Sequence, residues 1–135
     1  MELDHIAIAV PDMEAALAAF KELYGLEPDR IETVETEKIT EAMLPVGNTH
    51  LQLLEATDPS STVARFIEKR GGGLHHIAVR VDDLEGTMAR IRDAGGQLLD
   101  DEPRPGGGGH RVAFVHPRSN AGVLVELVEG AHGSH

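Results

Sequence analysis

The 135-residue chain contains no cysteine. Disulfides, thiolate metal sites and cysteine nucleophiles are therefore excluded. It has no long apolar run and opens directly on strand-like sequence. Neither a membrane span nor a signal peptide is expected, and the cytoplasm is the expected location. Positive charge is scarce: 12 Lys and Arg stand against 23 Asp and Glu, for a net charge of −11. That balance disfavours nucleic acid and anionic membranes as partners. It does not exclude an anionic ligand, because a few groups or a metal ion set the local field. A nucleotide-binding fingerprint is also missing. Pro105-Gly106-Gly107-Gly108-Gly109 is glycine-rich but does not join a strand to a helix, so it reads as a flexible loop or lid and not as a phosphate cradle.

What the chain does have is a second copy of itself. Leu3-Asp4-His5-Ile6-Ala7-Ile8-Ala9-Val10 aligns with Leu74-His75-His76-Ile77-Ala78-Val79-Arg80-Val81 at an offset of 71 residues, and Ala42-Met43-Leu44 aligns with Ala113-Phe114-Val115 at the same offset. A fixed-period repeat defines architecture before any motif does. The expectation is a single domain over 1–135, with one repeat over about 1–56, a connector over 57–72 and a second repeat over about 73–130.

Each repeat reads as β, α, then two or three strands. His5 to Val10 alternates with period two, placing His5, Ala7 and Ala9 opposite Ile6, Ile8 and Val10. Asp12 caps a helix bearing Met13, Ala16, Leu17, Phe20, Leu23 and Tyr24 at helical spacing, and Gly25 stops it. Residues 26–38 read as a weak strand or loop. Ile39–Leu44 and His50–Leu54 are expected strands around a turn at Pro45-Val46-Gly47-Asn48. Ser60 or Ser61 caps a short helix from Thr62 to Arg70 in the connector. The second repeat follows with a strand over His76–Val81, a helix capped by Asp83, and strands over Arg111–Val115 and Val123–Leu127.

Both histidines lie opposite the bulky face of their strands. In the last strand, Glu126 stands amid five aliphatics, a costly place for a charge unless it is paired or bound to metal. Matching the strand ends sets Gln52 opposite Glu126. The repeat thus yields two equivalent pairs, His5 with Gln52 and His76 with Glu126. Two imidazoles, one amide oxygen and one carboxylate suit a borderline-to-hard divalent ion. Glu41 lies between apolar residues on one strand face, where its repeat equivalent is Val112. His75 should point away from His76. His50, His110, His116, His132 and His135 are weaker candidates, the last two in a polar tail expected to be disordered. Asp100-Asp101-Glu102 reads as a solvated charge run.

The stretches around His5, Leu44-Pro45-Val46-Gly47, His75-His76, Asp101-Glu102-Pro103, His116-Pro117 and Gly122-Val123-Leu124-Val125-Glu126-Leu127 resemble the vicinal oxygen chelate superfamily, and within it the methylmalonyl-CoA epimerases. The resemblance implies an α+β fold: two tandem βαβββ modules forming a curved mixed sheet around a metal-containing cavity. It implies a divalent metal (cobalt, manganese, magnesium, nickel or zinc) on His5, Gln52, His76 and Glu126, with Glu41 and Glu126 as the acid/base pair of a cytoplasmic isomerase. It further implies an acyl-CoA thioester as substrate and a homodimer. The scaffold leaves two alternatives: a glyoxalase I-type lactoylglutathione lyase, or a metal-free ligand-binding protein.

Overall fold

The computed structural model describes residues 1–106 and 109–130. The chain divides into two compact units. The first is His5–His75; the second is His76–His135 together with Met1–Asp4. The connector therefore packs with the first unit.

In the first unit, strand β1 (Glu2–Ala9, entering from the second unit) leads into helix α1 (Met13–Tyr24), then β2 (Arg30–Val34), β3 (Ile39–Val46), β4 (Thr49–Ala56) and helix α2 (Thr62–Arg70). The strand order is β2-β3-β4-β1. β1 runs parallel to β4, and the other pairings are antiparallel. The expected weak strand is thus β2, an edge. Pro45 and Val46 belong to β3 and not to the turn, which Gly47 and Asn48 suffice to close with Gly47 at φ +59°.

Helix α1 forms where its signals lie. The Asp12 side chain accepts the Ala15 N–H, and Gly25 at φ +70° returns its own N–H to the Lys21 carbonyl. The Glu55 carboxylate, arriving from β4, accepts the Met13 N–H at 2.7 Å. An acceptor with negative charge is favourable at a helix N-terminus. The apolar side of α1 covers Val10, Ala42, Leu44 and Leu53. On the opposite sheet face, Val63, Phe66 and Ile67 of α2 cover Ala7, Ala9 and Leu54. Ser61, and not Ser60, caps α2, accepting from Val63 and Ala64. Gly72 follows at φ +116°, where a Cβ would meet the Ala9 carbonyl at 3.0 Å.

The second unit repeats this plan with β5 (Gly73–Val81), helix α3 (Leu84–Asp93), β6 (Arg104–Pro105), β7 (Arg111–Val115) and β8 (Val125–Glu129), in the order β5-β8-β7-β6. β5 and β8 are parallel. Asp83 accepts the Gly86 N–H, and Glu129 accepts the Leu84 N–H at 3.1 Å, so both capping devices of α1 recur. Arg111 in turn holds the Glu129 carboxyl below the usual range, aided by the Leu84 N–H. Leu84 and Met88 seal the core with Val81, Ala113, Val115 and Leu127.

β8 starts at Val125, two residues later than expected. The Asn120 amide donates to the carbonyls of Val115, His116 and Val123, and the turn extends through Ala121 and Gly122, both at positive φ. Asp100 also departs from expectation. It is no solvated charge: its carboxylate accepts the Phe114 N–H at 2.7 Å and pairs with Arg104 at 3.2 Å. The glycine loop expectation falls partly outside the described residues at Gly107 and Gly108, as do those for His132 and His135.

Leu53 and Leu84 are fully buried, one in each unit. Leu53→Ala and Leu84→Ala are each expected to cost about 2–5 kcal/mol in denaturant titrations. A loss below about 1 kcal/mol at either would mean that its unit is not packed as described.

Candidate active site

Strand register decides which side chains share a face. In the first unit Ala7 pairs with Gln52 and Met43 pairs with Gln52 from the other side, while Glu41 pairs with Leu54 and with Glu32 of β2. Alternation therefore places His5, Gln52, Glu41 and Glu32 on one face, opposite the α1 core. His5 and Glu41 are buried.

The Gln52 Nε2 donates to Glu41 Oε2 at 2.5 Å. This leaves the Gln52 side-chain amide oxygen buried with no hydrogen-bond partner among the described residues. An unsatisfied buried acceptor costs about 1–3 kcal/mol, which a water, an ion or a ligand group on this oxygen would offset. Burial pushes the Glu41 carboxyl above its ordinary value. The Gln52 N–H opposes that, and Glu32 across the β2–β3 pair raises it further while Arg30 lowers it. Glu41 is therefore neither exposed nor an ordinary carboxylate.

In the second unit Ala78 pairs with Glu126, and Phe114 pairs with Glu126 from β7. His76, Glu126, Phe114 and Val112 share a face. His76 Nε2 lies 3.1 Å from Glu126 Oε1. The Phe114 ring meets the His76 ring edge-on at 6.0 Å.

The two registers match each other, a correspondence that does not depend on sequence spacing. Ala7 is to Gln52 as Ala78 is to Glu126, and Met43 is to Gln52 as Phe114 is to Glu126. Gln52 and Glu126 are structural equivalents despite an offset of 74 instead of 71 residues.

Four other histidines among the described residues have contacts of their own. His75 packs its ring edge against Phe66 at 4.9 Å. His50 lies 3.3 Å from Asp29. His110 Nδ1 bonds the Glu129 carbonyl, and His116 Nδ1 accepts the Arg118 N–H. Three neighbours were not visible as site candidates: Glu32, Phe114 and Arg104. The pairings of β2 with β3, of β7 with β8 and of β6 with β7 bring them to these faces. Phe114 alone carried a signal, as the repeat partner of Met43.

Comparison with known proteins identifies the family. The profile of the Glyoxalase/Bleomycin resistance protein/Dioxygenase superfamily matches residues 4–114. The ethylmalonyl-CoA/methylmalonyl-CoA epimerase of Cereibacter sphaeroides is 38% identical, over 93% of this chain and 95% of its own. The mitochondrial methylmalonyl-CoA epimerase of Homo sapiens is 34% identical, over 93% of this chain and 72% of its own. Among solved structures, a Streptomyces coelicolor methylmalonyl-CoA epimerase variant in complex with 2-nitronate-propionyl-CoA has a TM-score of 0.88 and 40% identity, covering 100% of this chain and 98% of that one. By the matching family model, these relatives and the shared fold, the chain belongs to the methylmalonyl-CoA epimerase family of the glyoxalase/bleomycin resistance/dioxygenase superfamily.

Proposed function

We propose that this protein epimerises methylmalonyl-CoA at the carbon between thioester and carboxylate, with one divalent cation on His5, Gln52, His76 and Glu126 and with Glu41 and Glu126 exchanging the proton. The observation that carries the reading is the buried Gln52 amide. It gives its N–H to Glu41 and keeps an oxygen with no partner among the described residues, so one side chain ties the base to the donor set.

The donor chemistry fits a hard or borderline divalent ion: two imidazoles, an amide oxygen and a carboxylate, with no thiolate in the chain. A divalent cation, when bound, supplies positive charge beside the acyl oxygens, where negative charge develops as the α-proton leaves. The rest falls to side chains. Glu41 takes the proton from one face of the substrate, and Glu126 returns one to the other face; the roles reverse with direction. Burial favours Glu41 as a stronger base than an exposed glutamate, which suits removal of a weakly acidic proton. Gln52 holds the Glu41 carboxylate in one orientation. Met43 beside Gln52 and Phe114 beside Glu126 add apolar surface next to the polar groups of each unit.

Three experiments test this reading. In D₂O the protein should exchange the α-proton of methylmalonyl-CoA, and a chelator should abolish the exchange. Conversion of the glutathione thiohemiacetal of methylglyoxal in place of that exchange would select the glyoxalase alternative.

His76→Ala should lose the metal while His75→Ala keeps it, because His75 packs against Phe66 and points elsewhere. Metal content of the two purified variants decides the matter, and equal loss would contradict the strand register.

Glu41→Gln should keep its metal and lower epimerisation by at least about 10²-fold. Exchange should persist for one enantiomer alone. A near wild-type rate would remove Glu41 from the mechanism. The protein is further proposed to be a homodimer, on family resemblance; sedimentation at micromolar concentration should show twice the chain mass.

A further inference from the structure

Arg104 has no part in the chemistry above, yet it sits beside it. β6 pairs Arg104 with Val112 of β7, and Val112 pairs with Val128 of β8. Its side chain therefore leaves the sheet on the face that carries His76 and Glu126. The guanidinium carbon lies 4.9 Å over the Phe114 ring, whose edge contacts His76.

Asp100 anchors this arrangement. One carboxylate oxygen accepts the Phe114 N–H at 2.7 Å, and the other holds Arg104 Nε at 3.2 Å. The backbone fixes Asp100, Asp100 grips one edge of the guanidinium, and the aromatic ring supports its plane. The two terminal NH₂ groups have no partner among the described residues, and the side chain is 53% exposed. The other arginine on this face of the second unit among the described residues, Arg80, is buried and already paired with Asp4 at 3.1 Å and Glu2 at 3.0 Å. Arg104 is thus a pre-oriented, exposed fork of donors on a chain whose net charge is −11. Such a fork matches two oxygens of a carboxylate or phosphate.

We propose that Arg104 recognises an anionic oxygen pair of the acyl-CoA substrate. The inference rests on the epimerase reading for the substrate class and goes beyond it in assigning a recognition residue. The ligand chemistry has two sources, the free carboxylate of the acyl group and the phosphates of CoA. Arg104 contributes binding in ground and transition states alike, so its loss raises KM and leaves kcat nearly unchanged.

The test compares wild type, Arg104→Ala and Arg104→Lys on methylmalonyl-CoA and on the methylmalonyl thioester of pantetheine, which lacks every phosphate. Binding is read by calorimetry, turnover by α-proton exchange, and metal content and melting temperature are measured for each protein. Arg104→Ala should raise Kd and KM for methylmalonyl-CoA by roughly 10- to 100-fold, the range of a charge-assisted hydrogen bond, with metal content and melting unchanged. Arg104→Lys should fall between, since it keeps the charge and loses the fork. A penalty that persists on the pantetheine thioester identifies the carboxylate; one that vanishes there identifies a phosphate. Equal Kd values for wild type and Arg104→Ala on both thioesters overturn the proposal. Wild type that binds the CoA thioester without exchanging its α-proton defeats the epimerase reading instead, and the Kd comparison still decides Arg104.

Discussion

Two alanines set the geometry on which the site depends. Ala7 and Ala78 are fully buried, and each lies between a histidine two residues earlier on its own strand and the amide or carboxylate directly across the parallel pair. Parallel strands lie about 4.8 Å apart, so groups on one face at that spacing reach each other only when the intervening side chain is small. In the second unit the result is visible as a 3.1 Å approach of His76 to Glu126. A larger side chain at Ala78 would fill that approach. The helices on the opposite face, capped twice over by Asp12 with Glu55 and by Asp83 with Glu129, hold the strands in the register that these contacts need.

The two units divide their residues in an informative way. Those that build structure recur: the capping aspartates, the glutamates that reach the helix N-termini, the buried alanines, the aliphatics under each helix. Those facing the proposed chemistry differ. Gln52 corresponds to Glu126, Glu41 to Val112, Met43 to Phe114 and Ala9 to Arg80. One unit thus carries a hydrogen-bonded carboxyl raised by burial, and the other a histidine–carboxylate pair bordered by an aromatic ring and a cation. An epimerase must treat the two faces of one carbon with two different groups. A duplicated scaffold allows this, because the backbone repeats equivalent positions while the side chains at them differ.

Charge follows the same logic. A net charge of −11 opposes a polyanionic ligand at long range. At short range the balance is set by few groups. Arg80 pairs with Glu2 and Asp4, and Arg111 with Glu85 and Glu129, while Arg104 pairs with Asp100 through Nε and is half exposed beside the aromatic ring. Desolvation around Glu41 acts in the same local way and makes one carboxylate unlike the many at the surface.

Much of this was legible in the chain before any fold was known. The repeat at an offset of 71, the period-two alternation at His5 and His76, and the capping aspartates are local signals, and each gave its element and its face. The equivalence of Gln52 and Glu126 also followed from aligning strand ends. What local pattern could not supply was pairing across distant segments. The closing strand was expected two residues early because the Asn120 amide, bonding three carbonyls, prolongs the turn. Asp100 read as one more surface acid because only the fold brings it to the Phe114 N–H. The bond from Gln52 to Glu41, the carboxyl of Glu32 opposite Glu41 and the stacking of Arg104 on Phe114 all depend on register between strands. The sequence by itself determined which residues could ligate a metal or move a proton, because side-chain chemistry and alternation are properties of the chain. Tertiary structure alone decided which of those groups are buried, oriented and left one bond short, because hydrogen bonding and desolvation arise only between segments that the fold has brought together.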